Sequence, residues 1–495
     1  MAELFDAGRF SDAAALFDDR AREQRPTFEA SLRRAHLHLR VNPPQALSIL
    51  NELHPRHNTA EFVRRESLLG EVQALVGDYD AADERFEAAL KTARALNDGE
   101  LIANVGYRMG RRFIMANAPA PAREALELAR AGRSAEAAMD ALHLETFVLS
   151  REGRPREQAG LLVELLRRVN PDQPQHMVHR AWATHSLAAL ARELYLPEAI
   201  AEVERQLSGT PWPDDWRINR FQAVKALAWA KALQGDYFNA FRYLKESRGL
   251  ATDNAWRTMA FCDRAYLASA IGEERWSRQE MLEAEECAER WDWDSTRDEQ
   301  SVALLLLAEL FVRVDPAKAS AFVAEFRHIG ELGDARLLYR DDIRFKALVS
   351  YTTGVVDAAL GQRALAKRRL DEALKAYEGM GYDWRAGRAA LRLFDLTHQP
   401  QYLNVAEEKL RQYSSSWLYD ELRARRGKTS GAPKLPPMQQ RVFGYLCQGL
   451  SNVEIARELG RSEFTVANHA KAVLKAFGVR SRSALIAEAM KRGLV

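Results

Sequence analysis

Apolar side chains follow a helical period along almost the whole chain. They recur at i, i+3, i+4 and i+7, whereas alternating runs rich in Val, Ile and Thr are missing. Because this period places apolar side chains on one face of a helix, it predicts one helix after another. Short clusters such as Gly77-Asp78, Gly235-Asp236 and Gly361-Gln362 mark helix ends. The predicted fold class is therefore all-α.

A recurring spacing indicates that these helices form pairs. The pattern G-x-aromatic-x-x-A-x-x-x-F-x-x-A starts at Gly77 and returns with substitutions at Gly235 and Gly361, and in part at Gly8. It resembles the tetratricopeptide (TPR) repeat, a pair of antiparallel helices in about 34 residues. The copies do not keep a fixed period, so residues 1–423 are predicted to form an irregular TPR-like α-solenoid. A non-repetitive helical domain is the alternative.

Length and composition place the chain among folded proteins of several domains. It has 495 residues, of which 47% are hydrophobic, and domains usually span about 100–200 residues. The three cysteines, Cys262, Cys287 and Cys447, lie far apart and form no C-x-x-C motif, which favours a reducing compartment. No apolar run approaches the roughly 20 residues of a membrane span, and the N-terminus lacks signal-peptide features. We expect a cytoplasmic protein without membrane contact.

Charge is distributed unevenly along the chain. The overall net charge is +2, but residues 425–495 contain 13 basic and four acidic residues, a net charge of +9, which leaves −7 for the rest. A basic tail on an acidic body is typical of a nucleic-acid-binding domain attached to a different module.

Motifs for catalysis, metals and nucleotides are absent or incomplete. Gly427-Lys428-Thr429 resembles the end of a phosphate-binding loop, but Leu422 stands where its first glycine is needed. His176, His179 and His185 have no Cys or carboxylate at ligand spacing. We expect no enzyme, no cofactor and no metal.

Tryptophans concentrate in the middle of the chain, where seven of the ten lie between Trp212 and Trp293. They form either a helical core or a ligand or partner site. Trp291 and Trp293 cannot share a helix face, so at least one of these rings is expected to be exposed or at an interface. The middle third is thus the favoured sensing region.

The C-terminal residues predict a basic linker, 424–434, and a small four-helix domain, 435–495. Ser451 and Ser462 can cap the second and third helices, and a basic third helix follows a short turn. On this third helix, Val466, Val473 and Phe477 recur at spacings of seven and four and predict the core-facing stripe. The opposite side carries Phe464, Ala467, Asn468, Lys471 and Lys475. A helix, a short turn and a basic helix form the helix-turn-helix arrangement, whose second helix enters the DNA major groove.

The same residues resemble the LuxR-type DNA-binding domain. The resemblance is carried by the run Gly449-Leu450-Ser451-Asn452-Val453-Glu454-Ile455-Ala456, then Ser462-x-x-Thr465-Val466-x-x-His469, then Phe477-Gly478-Val479-x-Ser481-Arg482. The chain departs from the family in its first helix, where Gln439 and Arg441 replace two glutamates. This replacement weakens the internal ion pairing that the family pattern implies for this helix.

The resemblance implies contacts for individual residues. Ala467, Asn468 and Lys471 fall where the family contacts base edges; Asn can pair with adenine and Lys with guanine. Phosphate contacts are expected from Ser451, Asn452, Thr465, Lys475, Arg480 and Arg482, which fix the register without reading the sequence. The last helix, around residues 484–490, is implied to mediate dimerisation on DNA, although its apolar residues could equally pack on the domain's own core.

The sequence therefore predicts a bacterial LuxR-family transcription regulator that binds double-stranded operator DNA as a homodimer. Its TPR-like domain would receive a small-molecule, peptide or protein signal. The alternative is a TPR-like interaction scaffold or anti-activator, whose tail binds DNA weakly or pairs with another regulator.

Overall fold

The computed structural model describes residues 10–23, 26–170, 176–209, 212–291, 298–331, 342–430 and 435–491, and these contain helices and no β-strand. The first helices are α1 (Phe10–Glu23), α2 (Phe28–Val41), α3 (Pro43–Asn51), α4 (Ala60–Leu75), α5 (Tyr79–Ala95), α6 (Gly99–Met115), α7 (Pro119–Ala129), α8 (Ala135–Arg151), α9 (Pro155–Arg168), α10 (Met177–Leu194), α11 (Pro197–Ser208), α12 (Arg217–Leu233) and α13 (Tyr237–Leu250). The others are α14 (Asn254–Ala270), α15 (Glu274–Glu289), α16 (Asp298–Phe311), α17 (Pro316–Glu331), α18 (Ile343–Ala359), α19 (Arg363–Met380), α20 (Asp383–Thr397), α21 (Pro400–Leu410), α22 (Trp417–Ser430), α23 (Pro437–Cys447), α24 (Asn452–Leu459), α25 (Glu463–Ala476) and α26 (Arg482–Lys491). The all-α fold class is confirmed.

The chain divides into two compact units. The first consists of Met1–Leu190 and Ala201–Ala223, and the second of Ala191–Ile200 and Val224–Val495. The second unit thus contains the predicted DNA-binding tail together with many helices of the predicted solenoid.

In the first unit, helices pair along the chain and the pairs stack. α4 packs on α5, α6 on α7 and α8 on α9, while α4, α6 and α8 also contact one another in succession, as expected of a solenoid. The repeat residues Ala82, Phe86 and Ala89 are fully buried. A Cβ atom added at Gly70 of α4 would lie 2.9 Å from the Phe86 ring, so the aromatic residue fills the groove that this glycine leaves.

The second unit repeats the same arrangement. α14 packs on α15, α16 on α17, α18 on α19 and α20 on α21, and α14, α16 and α18 contact one another in succession. Leu370 of α19 lies against Gly354 of α18, where an added Cβ atom would be 2.9 Å away. Gly70 and Gly354 each precede the turn glycine, Gly77 or Gly361, by seven residues. The helix pairs therefore share a packing position that the sequence pattern had not included.

Within the second unit, a buried carboxylate joins the segment Ala191–Ile200 to α20. Glu193 accepts hydrogen bonds from Trp384 Nε1 at 3.0 Å and from Arg385 Nε at 2.6 Å, and it pairs with Arg192 at 2.5 Å. Burial raises the pKa of this carboxylate, but Arg192 and Arg385 outweigh that effect and lower it to about 2. The carboxylate is therefore charged and fully paired in the interior.

The central tryptophans are mostly part of the core. Trp216, Trp229, Trp256 and Trp291 are buried, and Trp229 donates a hydrogen bond to Asp263 at 2.9 Å. Trp212 and Trp276 are half-buried. Trp293 lies outside the described residues, so the expected exposed ring at Trp291 or Trp293 stays a prediction.

The first part of the predicted linker, residues 424–430, is helical, because α22 continues to Ser430. Its basic residues find partners on neighbouring helices: Arg425 pairs with Asp395 at 2.7 Å, and Arg426 pairs with Glu407. These ion pairs hold α22 against its neighbouring helices beyond residue 423. Gly427-Lys428-Thr429 lies within this helix. Residues 431–434 lie outside the described residues.

Among the residues that the structure describes, no helix has both the length and the apolar character needed to cross a membrane.

Candidate nucleic-acid interface

Helices α23 to α26 enclose a small core of their own. Val442, Leu446, Ile455, Val466 and Val473 are fully buried. The rings of Phe443 and Phe477 stack at a centroid distance of 4.8 Å and an angle of 11°. The predicted core-facing stripe of α25 is thereby confirmed, and it fixes which face of that helix points outward.

Local capping defines the ends of α24 and α25. Ser451 accepts from the Glu454 backbone N–H while Glu454 accepts from the Ser451 N–H, which forms a capping box. Gly460 ends α24 in the left-handed region, with φ +60°. Ser462 caps α25 by accepting from the Thr465 backbone N–H at 3.2 Å. Both predicted caps are confirmed, and the two helices form a helix-turn-helix.

The outward face of α25 carries the residues predicted to contact bases. Asn468 and Lys471 are exposed and Ala467 is half-buried, so all three lie on the side away from the core. Phe464, at the start of the same helix, is 76% exposed. The sequence placed Phe464 on this face but gave it no role.

The residues predicted to contact phosphates fall into two groups. Lys475 and Arg480 are exposed and available to an external partner. The hydroxyls of Ser451 and Thr465 take part in the helix caps. Arg482 donates hydrogen bonds to the Leu450 carbonyl at 2.7 Å and to Asn452 Oδ1, so these side chains tie α26 to the start of α24. The DNA contacts of all these residues remain predictions.

The last helix contributes to the domain core. Leu485 and Ala489 are fully buried, and α26 packs against α23. The last helix therefore packs on its own domain, which is the second of the two roles that the sequence left open for it. Its role in dimerisation stays a prediction.

The helix-turn-helix domain contacts the helical body of the second unit through Arg441 of α23. This side chain is only 3% exposed; its guanidinium carbon lies 3.4 Å from the centre of the Tyr237 ring, and its Nε lies 3.8 Å from Asp420 Oδ2. A cation over an aromatic face is stabilised when water is excluded. Arg441, the residue that departs from the family pattern, therefore contacts Tyr237 and Asp420 of the helical body.

A second contact joins the body to the turn of the helix-turn-helix. Arg461 pairs with Glu273 at 2.6 Å, and a Cβ atom added at Gly460 would lie 3.6 Å from the Cα of Phe238. Burial lowers the pKa of His469 on α25, and the charge of Glu273 offsets only part of this shift. We call the contacts of Arg441 and Arg461 with Asp420, Tyr237 and Glu273 the docking interface. No local sequence signal predicted it, since the partners are far apart in the chain.

Histidines of the first unit form a buried polar cluster. His143 Nδ1 lies 3.1 Å from the Tyr107 hydroxyl and 3.2 Å from His179 Nδ1, and His176 is also buried. Within the described ranges, no group of three or more His, Cys, Asp or Glu residues could hold a metal ion.

Taken together, capped helices, a basic outward-facing helix and a small separate core define the C-terminal part as a helix-turn-helix DNA-binding domain. The sequence model of "Bacterial regulatory proteins, luxR family" matches residues 434–489. These residues form a LuxR-family helix-turn-helix domain, which confirms the resemblance seen in the sequence.

A curated relative supports the same assignment. The chain is 34% identical over 83 residues to the "Transcriptional regulatory protein MctR" of Rhizobium johnstonii. The similarity covers 17% of this chain and 38% of that protein. It therefore does not extend over the whole length of either protein.

Proposed function

We propose that the protein is a sequence-specific DNA-binding transcription regulator of the LuxR type. The observation that carries this proposal is the outward face of α25, where Asn468 and Lys471 are exposed on a capped and well-packed helix. The matched family and the printed name of the relative support it. Such a regulator would act on operator DNA in the bacterial cytoplasm.

Within this function, Ala467, Asn468 and Lys471 contact base edges, while exposed Lys475 and Arg480 contact phosphates. A homodimer would read two half-sites, with α26 as the dimer contact. The helical body receives a ligand or protein signal. That signal shifts an equilibrium between a docked helix-turn-helix, held by the docking interface, and a released one.

Docking opposes DNA binding through charge. Glu273 pairs with Arg461 at 2.6 Å, so one basic residue of the domain is neutralised beside the recognition helix. A DNA phosphate approaching this edge would meet an acidic side chain. Release of the domain removes that acid from the DNA-binding face.

The test is a selection of genomic fragments by the full-length protein at about 0.15 M salt, repeated with the double variant Asn468→Ala/Lys471→Ala. A sharp enriched motif that the double variant loses is the expected result. Diffuse, salt-sensitive binding that is equal in both proteins would overturn the proposal. That outcome would favour an interaction scaffold, with protein partners as the next target.

A further inference from the structure

The second unit contains an open-sided cavity of about 260 Å³, slightly below the usual range for small-molecule sites. It lies among α14, α15, α16, α18, α20 and α22, and it is separate from the outward face of α25. We propose that this cavity binds a small organic anion with an apolar body, and that the bound anion releases the docked helix-turn-helix domain. The regulatory half of this inference rests on the proposed function.

The charges around the cavity favour an anion. Two of the three acidic side chains in the lining are already paired with arginines: Glu309 with Arg388, and Glu421 with Arg392 at 3.6 Å and Arg425 at 3.1 Å. The third, Glu274, is exposed and accepts a hydrogen bond from the Ser269 hydroxyl at 3.3 Å. The solvent-exposed side of the lining carries two arginines, Arg278 and Arg313, that have no close ion pair among the described residues.

Two arginines at the cavity mouth are available to a ligand. Arg313 is 61% exposed, and its contact with Glu421 is 4.0 Å long. Arg278 lines the cavity and is exposed, and no ion pair of this residue occurs in the described part of the chain. Because a guanidinium presents a planar fork of donors, it suits a carboxylate or phosphate better than a neutral group.

The remaining walls are mainly apolar. They include side chains from four helices and the segment after α16, and Val314 stays 61% exposed at the mouth. These apolar residues are Ala270, Met281, Leu310, Val312, Val314 and Val355. An anion with a short hydrocarbon chain would bury that chain here and leave its charged group at the arginines.

Two residues of the cavity lining are sequence neighbours of residues in the docking interface. Glu421 lines the cavity, and the next residue toward the N-terminus, Asp420, faces Arg441. Glu274 also lines it, and the preceding Glu273 holds Arg461. A bound anion competes with Glu421 for Arg313 and Arg392. This competition weakens the ion pairs that hold α22 against its neighbouring helices. Weaker positioning of Asp420 then weakens the hold on Arg441.

Binding is tested on the full-length protein with hexanoate as the probe and hexylamine as its charge-reversed counterpart, each at about 10 mM. Hexanoate is expected to raise the melting temperature, and hexylamine is not. The double variant Arg278→Gln/Arg313→Gln should lose the shift, whereas Arg368→Gln, at an exposed arginine that does not line the cavity, should keep it. The unliganded melting temperature of each variant shows that it is folded. No shift with hexanoate, an equal shift with hexylamine, or an unchanged shift in the double variant would overturn the site.

Coupling is tested by DNA affinity, using the fragment enriched in the selection described above. Hexanoate should tighten DNA binding about fivefold or more in the wild type and not in Arg278→Gln/Arg313→Gln. An anion-induced melting shift without a change in DNA affinity would overturn the regulatory half alone. Asn468→Ala/Lys471→Ala should keep the melting shift, so a failure of DNA recognition and a failure of the cavity give different results.

Discussion

Gly235 should tolerate an added methyl group less well than Gly361, although both occupy the same turn of the repeat. Both have a left-handed backbone, with φ of +81° and +79°. A Cβ atom at Gly361 would meet nothing within 4 Å, whereas one at Gly235 would lie 2.6 Å from the carbonyl oxygen of Ser415 and 2.8 Å from its Cβ. Ser415 lies two residues before the start of α22, so the clash falls on the segment that leads to the DNA-binding domain.

The two substitutions share one cost and differ in another. An alanine in the left-handed region costs about 1–2 kcal/mol, and this applies to both positions. Overpacking adds about 1–3 kcal/mol at Gly235 alone, because the clashing atom is backbone. We expect Gly361→Ala to lower the free energy of unfolding by about 1–2 kcal/mol and Gly235→Ala by about 2–5 kcal/mol.

Urea unfolding followed by tryptophan fluorescence measures the difference, since Trp229 and Trp417 are buried in the same unit. Gly235→Val, with its larger branched side chain, should be less stable than Gly235→Ala. Equal losses for Gly235→Ala and Gly361→Ala would refute the reasoning, because the close approach of Ser415 would then carry no weight.

Three further results are expected. Lys471→Ala should weaken operator binding by about 1–3 kcal/mol and relax specificity, as measured by fluorescence anisotropy; a uniform loss across sequences would make it a phosphate contact instead. Glu193→Gln should destabilise the protein by about 3–5 kcal/mol at neutral pH, because it leaves Arg385 buried without its partner; exposed Glu198→Gln is the matched control. Glu273→Gln should tighten DNA binding about two- to fivefold, the range of a surface ion pair, in the same anisotropy assay; no change would argue against docking as a brake.

The Glu193 variant also predicts a pH dependence. The folded pKa is about 2 against an ordinary value of 4.5, so the folded state favours the charged form. The stabilisation of about 3 kcal/mol is present above pH 4.5 and is lost as the pH falls toward 2. Urea unfolding at several pH values should show the gap between wild type and Glu193→Gln narrowing in acid. A constant gap would contradict the buried charge.

Local features of the sequence were sufficient for much of the architecture. Apolar periodicity predicted the helices, and Gly77, Gly235 and Gly361 predicted helix ends, because each of these signals acts within a few residues. Ser451 and Ser462 predicted their caps for the same reason. The core-facing stripe of α25 followed from helical spacing, and it fixed by geometry which residues face outward.

What the sequence could not reveal depends on residues that are distant in the chain. In the sequence, Arg441 was only a departure from a family pattern. The fold alone brings it into contact with Tyr237, which lies 204 positions earlier in the chain. Glu193 was one acid among many until folding placed it against Trp384 and Arg385. The sequence by itself determined the helices, their caps and the identity of the DNA-binding domain, because these depend on neighbours along the helix. The tertiary structure alone decided which charges are buried and where the domain docks, because both depend on which surfaces the helix pairs bring together.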